Sequence, residues 1–216
     1  MKHDFGIQGL IEFLKATATR AEGRWFDATR HVRTEGFVAV AGLALTGAGQ
    51  SGNDYLPIRP SVGRQVLAHL PIQDLEEYTF VDLGSGKGRM LLVAAEYPFR
   101  KIRGVEFAIE LQREAEQNLS SFSIRGQRCR DLESVNVDAA EYFFSDEQLV
   151  LYINNSFGLE ILRKVFSNLE KSIRDHPRHV VVLMVTPQLA YVADAMPFLR
   201  LYYATRRFRV YQTVSS

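Results

Sequence analysis

The stretch VDLGSGKGR, residues 81–89, decides the fold. It follows the apolar run YTFVDL (78–83) and opens a helical pattern over 88–97, the place where open α/β sheets bind nucleotides. Gly84, Gly86 and Gly88 carry no Cβ, so the backbone can turn sharply and approach a ligand. The helix beyond them offers unpaired N–H donors. Spacing removes two ligand classes. A dinucleotide fingerprint wants glycine at the last position of GxGxxG, and that position is Arg89. A phosphate-binding P-loop wants four residues between its glycines and then Lys-Ser/Thr, whereas Lys87 is followed by Gly88. What remains is an acid, Asp82, two residues ahead of a GxGxG turn.

Outward from that turn, short β-type runs alternate with helical patterns. The runs are YTFVDL (78–83), KIRGVEF (101–107), SVNVDA (134–139), QLVLYIN (148–154) and HVVVLMV (179–185), with helical spacing at 88–97, 109–121 and 158–174. Near-continuous apolar strands separated by helices predict a parallel sheet covered on both faces. FLRLYY (198–203) and RRFRVYQT (206–213) predict an antiparallel hairpin at the sheet edge. Upstream, Ile7, Leu10, Ile11 and Leu14 predict an amphipathic helix over 5–19. Residues 20–59 read as irregular, and Pro60-Ser61 open a further helix that Pro71 closes.

Composition narrows the function classes. The chain has 216 residues, 46% hydrophobic and 24% charged, which predicts one packed domain and excludes disorder, collagen-like and repeat classes. With 26 Lys+Arg against 25 Asp+Glu, the net charge of +1 does not suit a surface that is all nucleic-acid footprint, so nucleic acid is not the expected partner. The single cysteine, Cys129, excludes a disulfide framework and a multi-cysteine zinc site, and it fits a reducing, cytoplasmic compartment. No signal-peptide pattern follows Lys2. The most apolar run, residues 36–49, is shorter than the roughly 20 residues a bilayer span needs, and it reads as a buried element or a cover. His176 and His179 straddle Pro177 with no carboxylate cluster beside them, so no metal is expected.

An acid two residues before GxGxG resembles motif I of the class I S-adenosylmethionine (SAM)-dependent methyltransferases. The resemblance covers residues 55–213. FVDLGSGKGRMLLVAAEYPFRKIRGVEF followed by ELQREAEQNL is similar to a largely uncharacterised bacterial subgroup, and Tyr55-Leu56-Pro57 ahead of motif I is similar to seven-strand protein-lysine methyltransferases. It implies an α/β, Rossmann-like, doubly wound fold: a mainly parallel seven-strand sheet, an antiparallel last strand and an N-terminal helical and loop extension. Residues 1–77 would be the extension and site cover, and residues 78–216 the SAM-binding domain. The implied cofactor is SAM, with S-adenosylhomocysteine (SAH) as product.

Cofactor residues follow from the strand ends. Asp82, Gly84, Ser85, Gly86 and Gly88 form the turn, with Asp82 placed to hold the methionine ammonium. Glu106, next to Phe107 at the end of the second run, can accept both ribose hydroxyls, as the acid of dinucleotide sites does. Asp138, beside Ala139, can accept the adenine amino group, and Asp131 competes for that role. In LYINNSFG (151–158), Asn155 and Phe157 match the subgroup's Asn-Pro-Phe layout, with Ser156 in place of proline, and the Asn154-Asn155 pair is similar to the corresponding motif of the non-SET histone-lysine methyltransferases. The implied chemistry is methylation of a nitrogen on a protein side chain or small molecule. Side-chain amide oxygens orient an amine, and an aromatic face favours the developing cation. By the same resemblance Tyr55 lies over the cofactor or substrate; as sequence alone it reads equally as a packed loop aromatic. The rival readings are a catalytically silent binding module of this fold and a nucleic-acid methyltransferase. Arg200, Arg206, Arg207 and Arg209 make the last hairpin basic, either as a solvated face or as a seat for an acidic substrate.

Overall fold

Six consecutive buried residues, Tyr78–Leu83, form β1 near the middle of the sheet, and their burial on both faces matches an unbroken apolar run. The computed structural model describes residues 7–39 and 53–214, with side chains from residue 17 onward. The strands are β1, β2 (Lys101–Glu106), β3 (Leu132–Asn136), β4 (Gln148–Asn154), β5 (Val180–Val185), β6 (Leu199–Ala204) and β7 (Phe208–Thr213). They form one seven-stranded sheet in the order β3-β2-β1-β4-β5-β7-β6. The first five strands are parallel, and β7 runs antiparallel to both β5 and β6. The direction of winding reverses between β1 and β4, the crevice position at which such sheets bind ligands.

Helices α1 (Ile7–Arg30), α2 (Pro60–Leu67), α3 (Arg89–Ala94), α4 (Ile109–Ser121), α5 (Leu159–Asp175) and α6 (Ala190–Asp194) accompany the sheet. One core face packs Phe26 of α1, Val66 of α2 and Met90 of α3 with Phe80, Val150 and Leu183. The other packs α5 and α6 with Val81, Leu151 and Val182. α5 shows how pattern becomes packing: Ile161, Leu162, Val165, Phe166 and Leu169 recur at helical spacing and are its buried residues. Truncating Phe166 to alanine would cost about 3–5 kcal/mol.

Several boundaries differ from the sequence-based expectation. The first helix does not stop at residue 19, and residues 20–30 are not irregular. Phe26 is fully buried, and the burial of that helical stripe outweighs the Gly23 that reads as a breaker. His31 ends the helix in the left-handed region at φ 57, and the Val32 N–H closes onto the Asp27 carbonyl at 3.1 Å. β3 begins and ends earlier than 134–139, because Asp138 instead caps a 3-10 turn at Ala139–Glu141. α3 is shorter than 88–97, and α6 was not foreseen. Residues 40–49 of the apolar run 36–49 lie outside the described residues, as does the start of the first helix; in the described part Phe37 is 63% exposed rather than buried.

Candidate functional site

The glycine turn is held from below by backbone and by one carboxylate. The N–H groups of Gly84 and Ser85 donate to the Val105 carbonyl at 2.8 and 3.1 Å. Glu106 Oε2 accepts from the Gly86 N–H at 2.8 Å, and Oε1 accepts from the Ala108 N–H at 3.0 Å. Glu106 therefore braces the turn, a role its position in the sequence did not reveal. A carboxylate has about four lone-pair sites, so these backbone donors do not exhaust it.

Beside it lies Asp82, 3% exposed, whose carboxylate makes no hydrogen bond or ion pair among the described residues. Burial first, and the neighbouring Glu106 second, push its carboxyl well above the usual range. Burial likewise raises Glu106, against the pull of its backbone donors. The Tyr152 hydroxyl and Ser85 Oγ are buried nearby with no hydrogen-bond partner among the described residues. Two acids and unpaired hydroxyls under a glycine turn suit a ligand that brings positive charge and hydrogen-bond donors.

Two segments close over the turn from above. Gly86 has φ 54, and a Cβ there would run into the Tyr55 ring; a Cβ at Gly84 would run into Ser156. Tyr55 is pinned by an antiparallel bridge to Val38, and its hydroxyl donates to the Thr34 carbonyl at 2.7 Å. Asn53 holds the other segment, donating from Nδ2 to the Asn155 carbonyl at 2.7 Å and from its N–H to the Ser156 carbonyl at 3.1 Å.

The cleft so enclosed is lined by Tyr55, Asp82, Gly84, Ser85, Gly86, Glu106, Phe107, Asp138, Ala139, Asn154, Asn155 and Phe157. Gly88 is set back from it, starting α3 at φ 84. Asp138 faces the cleft and accepts from the Ala140 N–H at 2.8 Å, while Asp131 precedes β3 at the opposite end of the sheet. Phe157 is 7% exposed and belongs to the core as well as to the cleft wall. Asn154 Oδ1 accepts from Thr186 Oγ1 at 3.3 Å, and Asn155 sits in the left-handed region at φ 51.

Sequence reading missed a buried polar knot behind the turn. Arg89, 3% exposed, donates from Nε to Thr34 Oγ1 at 2.6 Å and pairs through Nη2 with Glu35 at 2.9 Å and Asp27 at 3.4 Å. Asn118 adds a bridge, donating to the Lys87 carbonyl at 2.9 Å and accepting from the Arg33 N–H at 2.7 Å. The only local signal was an arginine where the dinucleotide pattern has glycine.

No family model and no curated protein matches this sequence. Solved structures do match its fold. A predicted N6-adenine-specific DNA methylase from Listeria monocytogenes is 16% identical with a TM-score of 0.53, covering 74% of this chain and 52% of its own. TrmN from Thermus thermophilus is 17% identical with a TM-score of 0.50, covering 72% of this chain and 48% of its own. This chain thus spans about half the length of each. An RNA methyltransferase from Salinibacter ruber, solved with SAH, is 19% identical with a TM-score of 0.47, covering 73% and 92%. At such identities the likeness is one of fold. That fold is the seven-strand, Rossmann-like one of the SAM-dependent methyltransferases. Among the described residues no helix is long and apolar enough to cross a membrane.

Proposed function

We propose that the protein methylates a nitrogen acceptor with SAM, and that residues 1–77 serve as the cover of a site carried by residues 78–216. One observation carries the reading: the buried Asp82–Glu106 acid pair under the Gly84–Gly88 turn opens into the same cleft as Asn154 and Asn155. Asp82 would receive the methionine ammonium, and Glu106 would use its remaining lone pairs for the ribose hydroxyls. Asp138 and Ala139 would border the adenine, and Phe107 its ring face. Bound there, SAM would supply an electrophilic methyl group to the acceptor nitrogen, which gives up a proton to solvent, with SAH as the product.

The chain's own part is positioning and drying. Asn154 and Asn155 accept hydrogen bonds from the acceptor N–H groups and so aim the lone pair, with Phe157 alongside. Tyr55 and Ser156 exclude water from above the turn, which strengthens each polar contact inside. In-line placement of this kind is worth about 7–11 kcal/mol in well-oriented systems.

Titration calorimetry of the purified protein with SAM and with SAH tests the reading. Micromolar binding of both supports it, and no heat with either at high micromolar concentration overturns it. A silent module of the same fold would bind cofactor yet pass no labelled methyl group to any acceptor pool.

A further inference from the structure

A second groove opens from the cofactor cleft and shares Asp54, Leu56, Pro57, Ile58, Asn154 and Asn155 with it. Its far side is formed by Thr186, Gln188, Arg206 and Arg207. The groove and the turn between β6 and β7 are tied together, because the Thr186 N–H donates to the Arg207 carbonyl at 2.9 Å. Thr205 Oγ1 stiffens that turn by accepting from the N–H groups of Arg207 and Phe208 at 3.1 and 3.0 Å. Arg206 and Arg207 are exposed and have no carboxylate partner among the described residues. No Asp or Glu follows Asp194 in the sequence, and of the four arginines beyond it Arg209 pairs back with Asp194 at 2.6 Å, which leaves Arg206 and Arg207 as the cations of the groove rim.

Next to this rim, β6 is an edge strand with its last five residues exposed. Leu201 is 50%, Tyr202 53% and Tyr203 37% exposed. A bulge between Leu201 and Tyr203 breaks the edge register, which disfavours pairing with another strand. Tyr203 is nevertheless backed on one face, stacked on His69 at 4.4 Å between ring centroids. An exposed ring backed by a second ring, beside unpaired arginines, is the arrangement that holds single-stranded nucleic acid: rings for bases, guanidinium groups for phosphates.

The groove's polar groups favour the same ligand. Asn154, Asn155 and Gln188 present amides able to donate and to accept, and Thr186, whose hydroxyl proton goes to Asn154, keeps an accepting oxygen. A nucleobase edge mixes donors and acceptors and matches such a set. A lysine ammonium has donors only and would leave the amide N–H groups of the groove unmatched.

We propose that the acceptor is a base of a single-stranded nucleic acid, inserted between the Leu56–Ile58 wall and Pro187 toward Asn154 and Asn155. Its backbone lies on Arg206 and Arg207, and a neighbouring base lies on Tyr203. This rests on the methyltransferase reading for the word acceptor, while the docking surface stands on its own contacts. Overall charge balance pointed away from nucleic acid because it averages a basic hairpin with a more acidic remainder.

The test is fluorescence anisotropy of a 5′-fluorescein, mixed-sequence RNA of about 20 nucleotides on the full chain, with SAH binding measured by calorimetry on the same sample. The expected result is saturable binding at low salt that weakens about tenfold or more in Arg206→Glu/Arg207→Glu. The slope of log affinity against log salt should fall in that variant by about 1.4, two contacts at roughly 0.7 each. Tyr203→Ala should weaken binding with the salt slope unchanged. Equal affinity in wild type and the double arginine variant, or displacement of RNA by poly-glutamate at matched charge, overturns the proposal; the latter points to an acidic peptide. Absent RNA binding with SAH binding intact overturns it alone, whereas absent SAH binding with arginine-dependent RNA binding overturns the methyltransferase reading.

Discussion

Glu106 accepts a hydrogen bond from the backbone N–H of Gly86 at 2.8 Å, so the residue read as a ribose acceptor also sets the glycine turn. Glu106→Ala should therefore weaken SAM by about 2–3 kcal/mol, the scale of lost hydrogen bonds to a charged group. Glu106→Gln retains an oxygen for Gly86 and should lose less. Calorimetry of both variants checks the order; equal affinity in wild type and Glu106→Ala would place the ribose elsewhere.

Asp82 predicts an opposition between stability and binding. Its folded-state carboxyl is raised above the unfolded value of about 3.9, mainly by burial and then by Glu106. The stability this contributes is full below the unfolded pKa and is lost as pH rises through the folded one. Asp82→Asn should raise the Tm of the ligand-free protein at pH 8, by about 2–4 °C per kcal/mol relieved. It should also weaken SAM and flatten the rise in SAM affinity as pH climbs through the same window. Parallel pH profiles for both proteins in differential scanning calorimetry would contradict the account.

Gly86 and Tyr55 should behave as one unit. Gly86→Ala places a side chain at φ 54, costing about 1–2 kcal/mol, and drives it into the Tyr55 ring. Tyr55→Ala removes the collision and leaves the backbone cost, so the double variant should be more stable than the two single losses sum to, by about 0.5–3 kcal/mol. Urea unfolding of the four proteins gives that coupling.

Arg89→Met should destabilise the fold by about 3 kcal/mol, because it leaves Asp27 and Glu35 without their shared cation in a largely buried setting. Arg89→Lys keeps the charge but cannot span Thr34, Glu35 and Asp27 together, and should fall between. Denaturant midpoints measure both.

Asn155→Gly tests acceptor positioning without backbone strain, since glycine accepts φ 51 as readily as asparagine does. Transfer of labelled methyl to acceptor should drop at least tenfold while SAM affinity stays within about twofold. Unchanged transfer would remove Asn155 from the orienting role.

Much of the fold was legible because its signals are local. The ranges expected for β1, β4 and α4 match the observed ones, since each is set by an unbroken apolar run or a helical stripe. The parallel sheet with its antiparallel hairpin followed from the alternation of those patterns. α1 was misjudged past residue 19 because Gly23 and the surrounding charges carry little helical signal; Phe26 is held by the distant core instead.

The site divides along the same line. By itself, the sequence determined the glycine turn, Asp82 before it and Glu106 at the next strand end, because a strand, a turn and a strand terminus are each written in neighbouring residues. Tertiary structure alone decided that Tyr55 covers Gly86, that Ser156 covers Gly84, and that Asp138 rather than Asp131 faces the cleft. It alone closed Arg89 onto Asp27 and Glu35, residues 62 and 54 positions away. Such contacts join segments whose local patterns are independent. Their partners are chosen by shape and by the cost of leaving a buried charge unpaired, and neither is expressed in local periodicity.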